Sequence, residues 1–279
     1  MSAEVALNHS GCCSFTPYIL RENNFKRVCY WLNELAGRDL NEFERFTVQS
    51  RLASCADQLE FTNVNHYIEY LAAQTCDYTL PCWQTFLDVL LETESWFRRE
   101  SKHFNFLKQV VFPSLSNEIS VLCAGCGDGA EAFDIAFECA EFYGFDASWN
   151  IDAIDVRSGA IASAKHATWQ EEDCNFLPEI LVDKYFQSVP DGMQVTQSIR
   201  ERIAFSCENL LNLACCQKYD LIFCRNLLID MDKSAADRVL LRLMSALKPE
   251  GFLFVSHHEN IRDCIAAEYL LTPNIVRKL

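Results

Sequence analysis

Positive charge is scarce in this chain. Its 24 lysines and arginines stand against 39 aspartates and glutamates, which gives a formal net charge of −15 at pH 7. A protein that binds nucleic acid usually presents a basic face to the phosphates, so this balance argues against DNA or RNA as a partner. We therefore expect no nucleic-acid partner.

Long apolar runs are also missing. No stretch approaches the roughly 18 uninterrupted apolar residues of a membrane span, and residues 1–4 (Met-Ser-Ala-Glu) lack the basic start and apolar run of a secretory signal. We expect a cytoplasmic chain without direct membrane insertion. The sequence contains no internal repeat and no low-complexity segment.

The 15 cysteines lack the setting of a disulfide framework. Several of them, including Cys123, Cys139 and Cys224, stand within apolar runs, where a free thiol behaves as a small hydrophobe. The single CxxC, at residues 123–126, has no second CxxC and no histidine pair at metal-ligand spacing. We expect no metal site.

Residues from about Phe25 to Arg99 have a helical pattern without strand alternation. One predicted helix face combines residues that recur at roughly helical spacing: Phe43, Phe46, Ser50, Cys55 and Leu59. The pattern predicts a small all-helical N-terminal domain over residues 1–112.

From residue 113 onward, short apolar runs alternate with helical periodicity. The runs lie at 119–124, 149–154, 203–206, 219–224 and 251–256, and the clearest helical patterns at 130–143, 158–167 and 236–247. This rhythm predicts a doubly wound α/β domain over residues 113–279, with a parallel sheet between two helical layers. The stretch at about 168–200 is longer than an ordinary connection, which predicts an inserted subdomain.

A glycine-rich loop follows the first predicted strand at residues 124–129 (Ala-Gly-Cys-Gly-Asp-Gly). Glycine allows a tight turn and lets a ligand approach the backbone, so Gly125 is a candidate binding residue. Such loops occur in both dinucleotide and S-adenosylmethionine sites, and a turn of purely structural use is a further alternative. The position between a strand and a helix favours a ligand site.

Three charged residues accompany this loop. Asp155 ends the second strand, where a carboxylate can accept hydrogen bonds from the ribose of an adenosine or can cap the next helix. Glu131 begins the helix after the loop, either as a surface acid that complements the helix dipole or as a partner of the ligand. Arg225 ends a fully apolar strand and is expected to face the ligand crevice of the sheet.

Seven motifs carry a resemblance to a known family. They occur in order at residues 94–99, 124–131, 153–155, 209–211, 223–226, 247–251 and 257–260. Together they resemble the motifs of the chemotaxis-receptor glutamate methyltransferases, the CheR family, from about Phe25 to the C-terminus. The resemblance implies a Rossmann-like methyltransferase sheet, a helical N-terminal domain and a small β-subdomain in place of the insertion.

The same resemblance implies the function and the site. The reaction would transfer a methyl group from S-adenosylmethionine to a glutamate side chain of a chemoreceptor or related signalling protein, leaving S-adenosylhomocysteine. Arg225 would be catalytic, lying beside the transferred methyl and orienting the acceptor carboxylate. The implied contacts to the methyl donor are Thr93, Ser95, Arg99, Glu131, Asp155, Asn209, Leu210, Cys224 and Arg225.

The sequence departs from the family pattern at several positions. Asp230 stands where tyrosine is usual, Thr93 where asparagine is common and Arg98 where a second phenylalanine is common. The helix that presents basic residues to the receptor in the family keeps only Arg45 and Arg51. A donor-binding regulatory module with weak or no catalysis is therefore an alternative. A small-molecule methyltransferase ranks below it, and an NAD oxidoreductase ranks last.

Overall fold

The computed structural model describes residues 19–91, 95–261, 263–266 and 269–279. Contacts group the chain into two compact units, one of residues up to 29 with 40–75 and one of residues 30–39 with 76–279. Residues 76–112 thus group with the second unit, and the domain boundary predicted between residues 112 and 113 stays a prediction.

The α-helices within the described ranges are α1 (Glu22–Ala36), α2 (Arg45–Gln58), α3 (Val64–Ala72), α4 (Pro81–Leu90), α5 (Ser101–Phe106), α6 (Ala130–Tyr143), α7 (Ser158–His166), α8 (Glu171–Cys174), α9 (Glu179–Tyr185), α10 (Gln197–Arg200) and α11 (Lys233–Ala246).

The β-strands belong to two sheets. They are β1 (Glu118–Ala124), β2 (Ser148–Asp155), β3 (Thr168–Trp169), β4 (Phe186–Val189), β5 (Gly192–Val195), β6 (Ile203–Cys207), β7 (Tyr219–Cys224), β8 (Leu247–Val255), β9 (Leu270–Thr272) and β10 (Ile275–Arg277). Four of the five apolar runs predicted as strands fall within strands of the larger sheet, and the fifth, at 251–256, extends one residue past β8. The helix predicted at 130–143 coincides with α6.

In the first unit, α2 and α3 are neighbours. The helix face predicted for α2 is wrong except at Cys55, because Phe43 and Phe46 are 95% and 78% exposed. Phe43 precedes the helix, so helical spacing does not apply to it. The buried stripe instead follows Val48, Leu52 and Cys55, at the i, i+4, i+7 spacing of one face.

Arg45 forms ion pairs with acidic residues of the first unit. Its Nη1 lies 2.6 Å from Glu22 Oε2 and 3.6 Å from Glu42 Oε2, and the hydrogen bond from Arg45 lowers the pKa of Glu22. One of the two basic residues that α2 retains is therefore already paired with acids of its own unit.

The larger sheet of the second unit has the strand order β6-β2-β1-β7-β8-β10-β9. The first five strands are parallel, and β10 is antiparallel to both of its neighbours, so β9 runs in the common direction. Apart from the reversed β10, this is the order of the doubly wound nucleotide-binding folds, with connections leaving β1 in both directions. The topology confirms the predicted α/β fold class.

Helices cover both faces of this sheet. Alternate residues of β1 point to opposite sides: Val121 and Cys123 join the apolar cluster that contains the buried residues of α6, whereas Leu122 and Ala124 join the cluster built on α11. Burial on both faces explains why β1 reads as a continuous apolar run. Among the described helices, none is long and apolar enough to span a bilayer.

Within the stretch predicted as an insertion, at about 168–200, β3, β5 and β4 form a separate antiparallel three-stranded sheet. Its bounds as a subdomain stay a prediction. Gly192 begins β5 with φ 137°, and a Cβ built there would lie 2.3 Å from the carbonyl oxygen of Trp169. Any side chain at this position would force the turn and the β3–β5 pairing apart.

We predict that Gly192→Ala lowers the free energy of unfolding by more than ~2 kcal/mol, because it combines backbone strain with a clash. Gly144→Ala is the matched control: Gly144 also has a positive φ, 73°, but an added Cβ would meet nothing within 4 Å. The control has backbone strain at φ 73° and ψ −177° without a clash, so it should lose less stability than Gly192→Ala. Urea unfolding of both variants tests this, and equal losses would contradict the clash.

Candidate functional site

A cavity of about 500 Å³ opens at the carboxyl edge of the larger sheet, where β1, β2 and β7 end. Because the chain leaves β1 towards β2 on one side and reaches β7 on the other, this edge is a topological switch point, the usual ligand crevice of such sheets. The cavity is lined by eight of the predicted site residues: Ser95, Arg99, Gly125, Glu131, Asp155, Asn209, Leu210 and Arg225.

The glycine loop forms one wall of the cavity. The backbone N–H groups of Gly125 and Cys126 both donate to the carbonyl oxygen of Ile154, at 2.8 and 3.0 Å, which ties the loop to the end of β2. Gly125 has φ 78°, and an added Cβ would lie 3.0 Å from Leu227 Cδ2. Glycine is therefore required here for the tight turn as well as for access.

Asp155 holds the same loop from its buried carboxylate. Oδ2 accepts from the Gly127 N–H at 2.9 Å, and Oδ1 accepts from the backbone and Nε of Arg157 at 3.0 and 3.2 Å. The N-cap of α7 is Arg157, so capping does not explain Asp155. The carboxylate is fixed by its neighbours and still faces the cavity.

Arg225 has a buried guanidinium group, 6% exposed. Its Nε lies 2.7 Å from Glu131 Oε2 and its Nη2 donates to the carbonyl oxygen of Arg99 at 2.7 Å. The ring of Phe104 lies 5.5 Å below the group. Within the described chain, Nη1 is buried without a hydrogen-bond partner. The guanidinium group is thus held in one plane, and its Nη1 has no partner among the described residues.

Glu131 is the counter-ion of this arginine. Burial raises the pKa of Glu131, and the Arg225 guanidinium opposes the rise. Its position in the first turn of α6 also suits the helix dipole. Glu131 is thus largely buried and not a surface acid, and its carboxylate orients Arg225, whereas its contact with the ligand stays a prediction.

The remaining predicted site residues differ in their contacts and in their position relative to the cavity. Asn209 accepts from the Leu211 N–H at 2.9 Å and donates to the carbonyl oxygen of Leu35 at 2.7 Å, so its amide fixes the wall. The guanidinium of Arg99 stacks on Trp96 at 4.4 Å. The side chain of Cys224 is fully buried in the α11-side core and is not part of the cavity lining. Thr93 lies outside the described residues.

Several residues of the cavity lining were not predicted from the sequence, among them Trp96, Asp134 and Arg157. Asp134 lies three residues after Glu131 in α6, so helical spacing could have placed both on one face. Arg157 follows Asp155 by two residues at the same strand tip. Both signals are local in the sequence.

Asp134 is a buried acid, 1% exposed. It accepts from the Arg98 N–H at 2.6 Å through Oδ2, and its Oδ1 lies 3.4 Å from Arg98 Nε. Burial raises the pKa of Asp134 to about 7, although the charge of Arg98 opposes the rise. The cavity therefore borders on an acid that titrates near neutral pH.

The sheet topology and the glycine-lined crevice define a Rossmann-like domain with a nucleotide-type site at its switch point. Comparison with known families assigns it further: residues 93–271 match the family described as CheR methyltransferase, SAM binding domain. The match covers more than half of the chain, so the chain belongs to this family and is an S-adenosylmethionine-dependent methyltransferase.

Two chemotaxis protein methyltransferases agree with this assignment. A chemotaxis protein methyltransferase of Borreliella burgdorferi is 29% identical over 84% of this chain and 87% of its own length. One of Klebsiella aerogenes is 30% identical over 90% and 88%. Among solved structures, a methyltransferase of Methanosarcina mazei aligns with a TM-score of 0.34 and 18% identity, over 53% of this chain and 56% of that one.

We predict a pH-dependent stability difference between Asp134→Asn and the wild-type protein. The folded wild type keeps a proton on Asp134 up to about pH 7, whereas an unfolded aspartate loses it near pH ~3.9. The folded state binds more protons in this window, so the group's contribution to the free energy of unfolding falls as the pH rises. The variant lacks this loss and should gain stability relative to wild type between about pH 5 and about pH 8.

Urea unfolding at both pH values measures the difference. Asp146→Asn removes an exposed carboxylate and serves as the control, with the same difference expected at both pH values. A stability difference for Asp134→Asn that does not change with pH would show that Asp134 is ionised throughout this range.

Proposed function

We propose that this chain is a protein-glutamate O-methyltransferase, which transfers a methyl group from S-adenosylmethionine to a side-chain carboxylate of a chemoreceptor or related signalling protein. The observation that carries the proposal is the buried guanidinium of Arg225 in the cavity lining, whose Nη1 has no hydrogen-bond partner within the described chain. A buried donor without a partner is unfavourable until a ligand completes it. A carboxylate is the ligand that a guanidinium group binds best.

The residues present fit the methyl donor. At Gly127, which has φ 56°, an added Cβ would meet nothing closer than Arg157 Nη2 at 3.7 Å, so the loop backbone is accessible. Asp155 beside it is the group that would accept hydrogen bonds from the ribose hydroxyls, and Glu131 would bind the cationic part of the donor. S-adenosylmethionine supplies an electrophilic methyl group on a sulfonium centre. The proposed contacts also include Ser95, Arg99, Gly125, Asn209, Leu210 and Thr93.

The acceptor needs no general base in this reaction. A glutamate side chain is ionised at neutral pH, so it already carries the electron pair that attacks the methyl group. The protein then has to align the carboxylate and exclude water. This requirement is consistent with a site whose charged groups are fixed by one another.

Arg225 is proposed to orient the acceptor without neutralising it. Glu131 already balances its charge at 2.7 Å, so the remaining nitrogen provides a directed hydrogen bond with little net positive field. A fully available guanidinium would withdraw charge from the nucleophile and slow its attack. Orientation with partial charge compensation avoids that loss.

The charges near the cavity and on α2 bear on how a protein acceptor would be recognised. Asp230 is exposed and lines the cavity, where an incoming carboxylate would meet its negative charge. Arg45 is paired within its own unit, so attraction to an acidic partner is weaker than in a relative with a basic helix.

We further propose that the enzyme acts in the cytoplasm. We also propose that it has no nucleic-acid partner, in keeping with its net charge of −15.

We predict that the protein transfers labelled methyl groups to a chemoreceptor or adaptor as a methyl ester. An ester is hydrolysed by mild base, so the label should be released as methanol at about pH 10, whereas a methylated amine would resist. Arg225→Lys keeps the charge but loses the planar group, and should lower kcat by roughly 10²-fold. The assay uses full-length protein, labelled S-adenosylmethionine and a panel of receptor cytoplasmic segments.

Asp146→Asn is the control for turnover. A base-resistant label, or full activity in Arg225→Lys, would contradict the proposed reaction. Tight binding of S-adenosylhomocysteine with no label on any acceptor would instead support the regulatory module.

We predict that Asp230→Asn raises kcat/KM for the protein acceptor about two- to fivefold at low salt, because it removes a like charge from the mouth of the cavity. The gain should shrink at about 0.5 M salt, where exposed charges are screened. Asp146→Asn, equally exposed and distant in sequence, should leave kcat/KM unchanged. A fall in kcat/KM for Asp230→Asn would show that this carboxylate binds the acceptor.

A further inference from the structure

Residues 97–100, which we call the strap, contain two residues in a backbone conformation that is unfavourable for L amino acids. Arg98 has φ 60° and Glu100 has φ 55°. Residues other than glycine seldom adopt this left-handed region, and two of them within three positions need strong tertiary support. The strap must therefore be held by its side chains.

On one side of the strap, Arg98 binds two acids of α6. Its N–H donates to Asp134 Oδ2 at 2.6 Å, its Nε lies 3.4 Å from Asp134 Oδ1, and its Nη1 pairs with Glu138 Oε1. Both acids are buried. Phe97 adds an apolar anchor, 1% exposed, with its ring 4.9 Å from that of Trp169.

On the other side, Glu100 binds residues that follow β8. Its Oε1 accepts from Ser256 Oγ at 2.6 Å and lies 2.7 Å from His257 Nδ1. Its Oε2 lies 3.2 Å from His103 Nδ1. Both left-handed residues are thus fixed by contacts with elements distant in the sequence.

Arg99 lies between these two anchored residues and forms part of the cavity lining. Its carbonyl oxygen accepts from Arg225 Nη2 at 2.7 Å, and its guanidinium lies over Trp96 in the cavity lining. The orientation of the Arg99 peptide is therefore one of the two restraints on the plane of Arg225, the other being Glu131.

We propose that Arg98 is a positioning residue for the methyl-donor site: by binding Asp134 and Glu138 it fixes the strap, which presents Arg99 to the cavity and to Arg225. Arg98 acts through the strap and does not itself line the cavity. The inference concerns donor binding, so it does not depend on the identity of the acceptor.

The charge pattern supports a positioning role. A buried ion pair gives little net stability compared with apolar residues of similar volume, and its best-attested benefit is a unique conformation. Position 98 is where the family resemblance implies phenylalanine, and here an arginine stands opposite two buried acids. Without Arg98 those acids would lose their shared partner on the strap.

The test is calorimetric titration of the full chain with S-adenosylhomocysteine. Arg98→Met keeps the apolar stem and removes the ion pairs, and should weaken the affinity of the folded protein roughly tenfold, the equivalent of ~1.4 kcal/mol. Arg98→Lys can pair with one acid at a time and should give an intermediate affinity.

Two further variants separate positioning from general stability. Arg98→Met with Glu138→Met removes a buried acid together with its partner, so it should unfold at a higher temperature than Arg98→Met and still bind weakly. Lys108→Met is the matched control, because Lys108 also pairs with Glu138, at 3.4 Å, but lies outside the strap. It should bind like the wild type.

Three results would overturn the proposal. One is an affinity of Arg98→Met within about twofold of the wild type, and another is wild-type affinity in the double variant, which would leave Arg98 with a compensating role only. The third is an equal loss in Lys108→Met, which would assign the effect to the charge of α6. Failure of the acceptor assay affects none of these measurements, so the two proposals can fail separately.

Discussion

Arg225 follows the last residue of β7 and its charge is buried. The geometry of the cavity depends on which groups pair with that charge. Glu131 reaches it from the first turn of α6 and the Arg99 carbonyl reaches it from the strap. A buried guanidinium without such partners would be strongly unfavourable. Three elements separated in the sequence must therefore meet at one point before the crevice exists.

Helix α6 carries the acids that organise this meeting. Glu131, Asp134 and Glu138 follow each other at i, i+3 and i+7, on one face of the helix, and each lies within 3.5 Å of a basic side chain. The face borders the glycine loop at its start and the strap further along. A helix that would ordinarily bury only apolar residues thus combines packing with placement of charge.

Much of the α/β architecture could be predicted from the sequence because its signals are local. The apolar run of β1, the glycines after it and the periodicity of α6 each lie within a few residues, and α6 has the predicted bounds. The helices of the first unit were harder to predict from the sequence. Phe43 and Phe46 suggested a buried face, but the helix begins at Arg45 and buries Val48 and Leu52 instead.

The candidate site could be predicted only in part, for a physical reason. Eight predicted residues line one cavity because parallel strands bring their carboxyl ends together. The contacts that orient them cross long stretches of sequence: Arg98 binds acids 36 and 40 residues away, and Arg225 donates to a carbonyl 126 residues away. No spacing rule predicts such pairs. The capping interpretation of Asp155 failed for a local reason, because the N-cap of α7 is Arg157, two residues further on.

The proposed chemistry accounts for the kind of charge found in the cavity. Methylation of an ionised carboxylate transfers no proton, so the site needs fixed directions more than a titrating base. Its charged groups accordingly restrain one another: Asp155 holds the glycine loop, Glu131 holds Arg225 and Arg98 holds the strap. Because each restraint is an ion pair or a charge-assisted hydrogen bond in a buried setting, a small displacement loses much of its energy. The same contacts that make the site difficult to read from the sequence make it rigid enough to align an acceptor whose nucleophile is already formed.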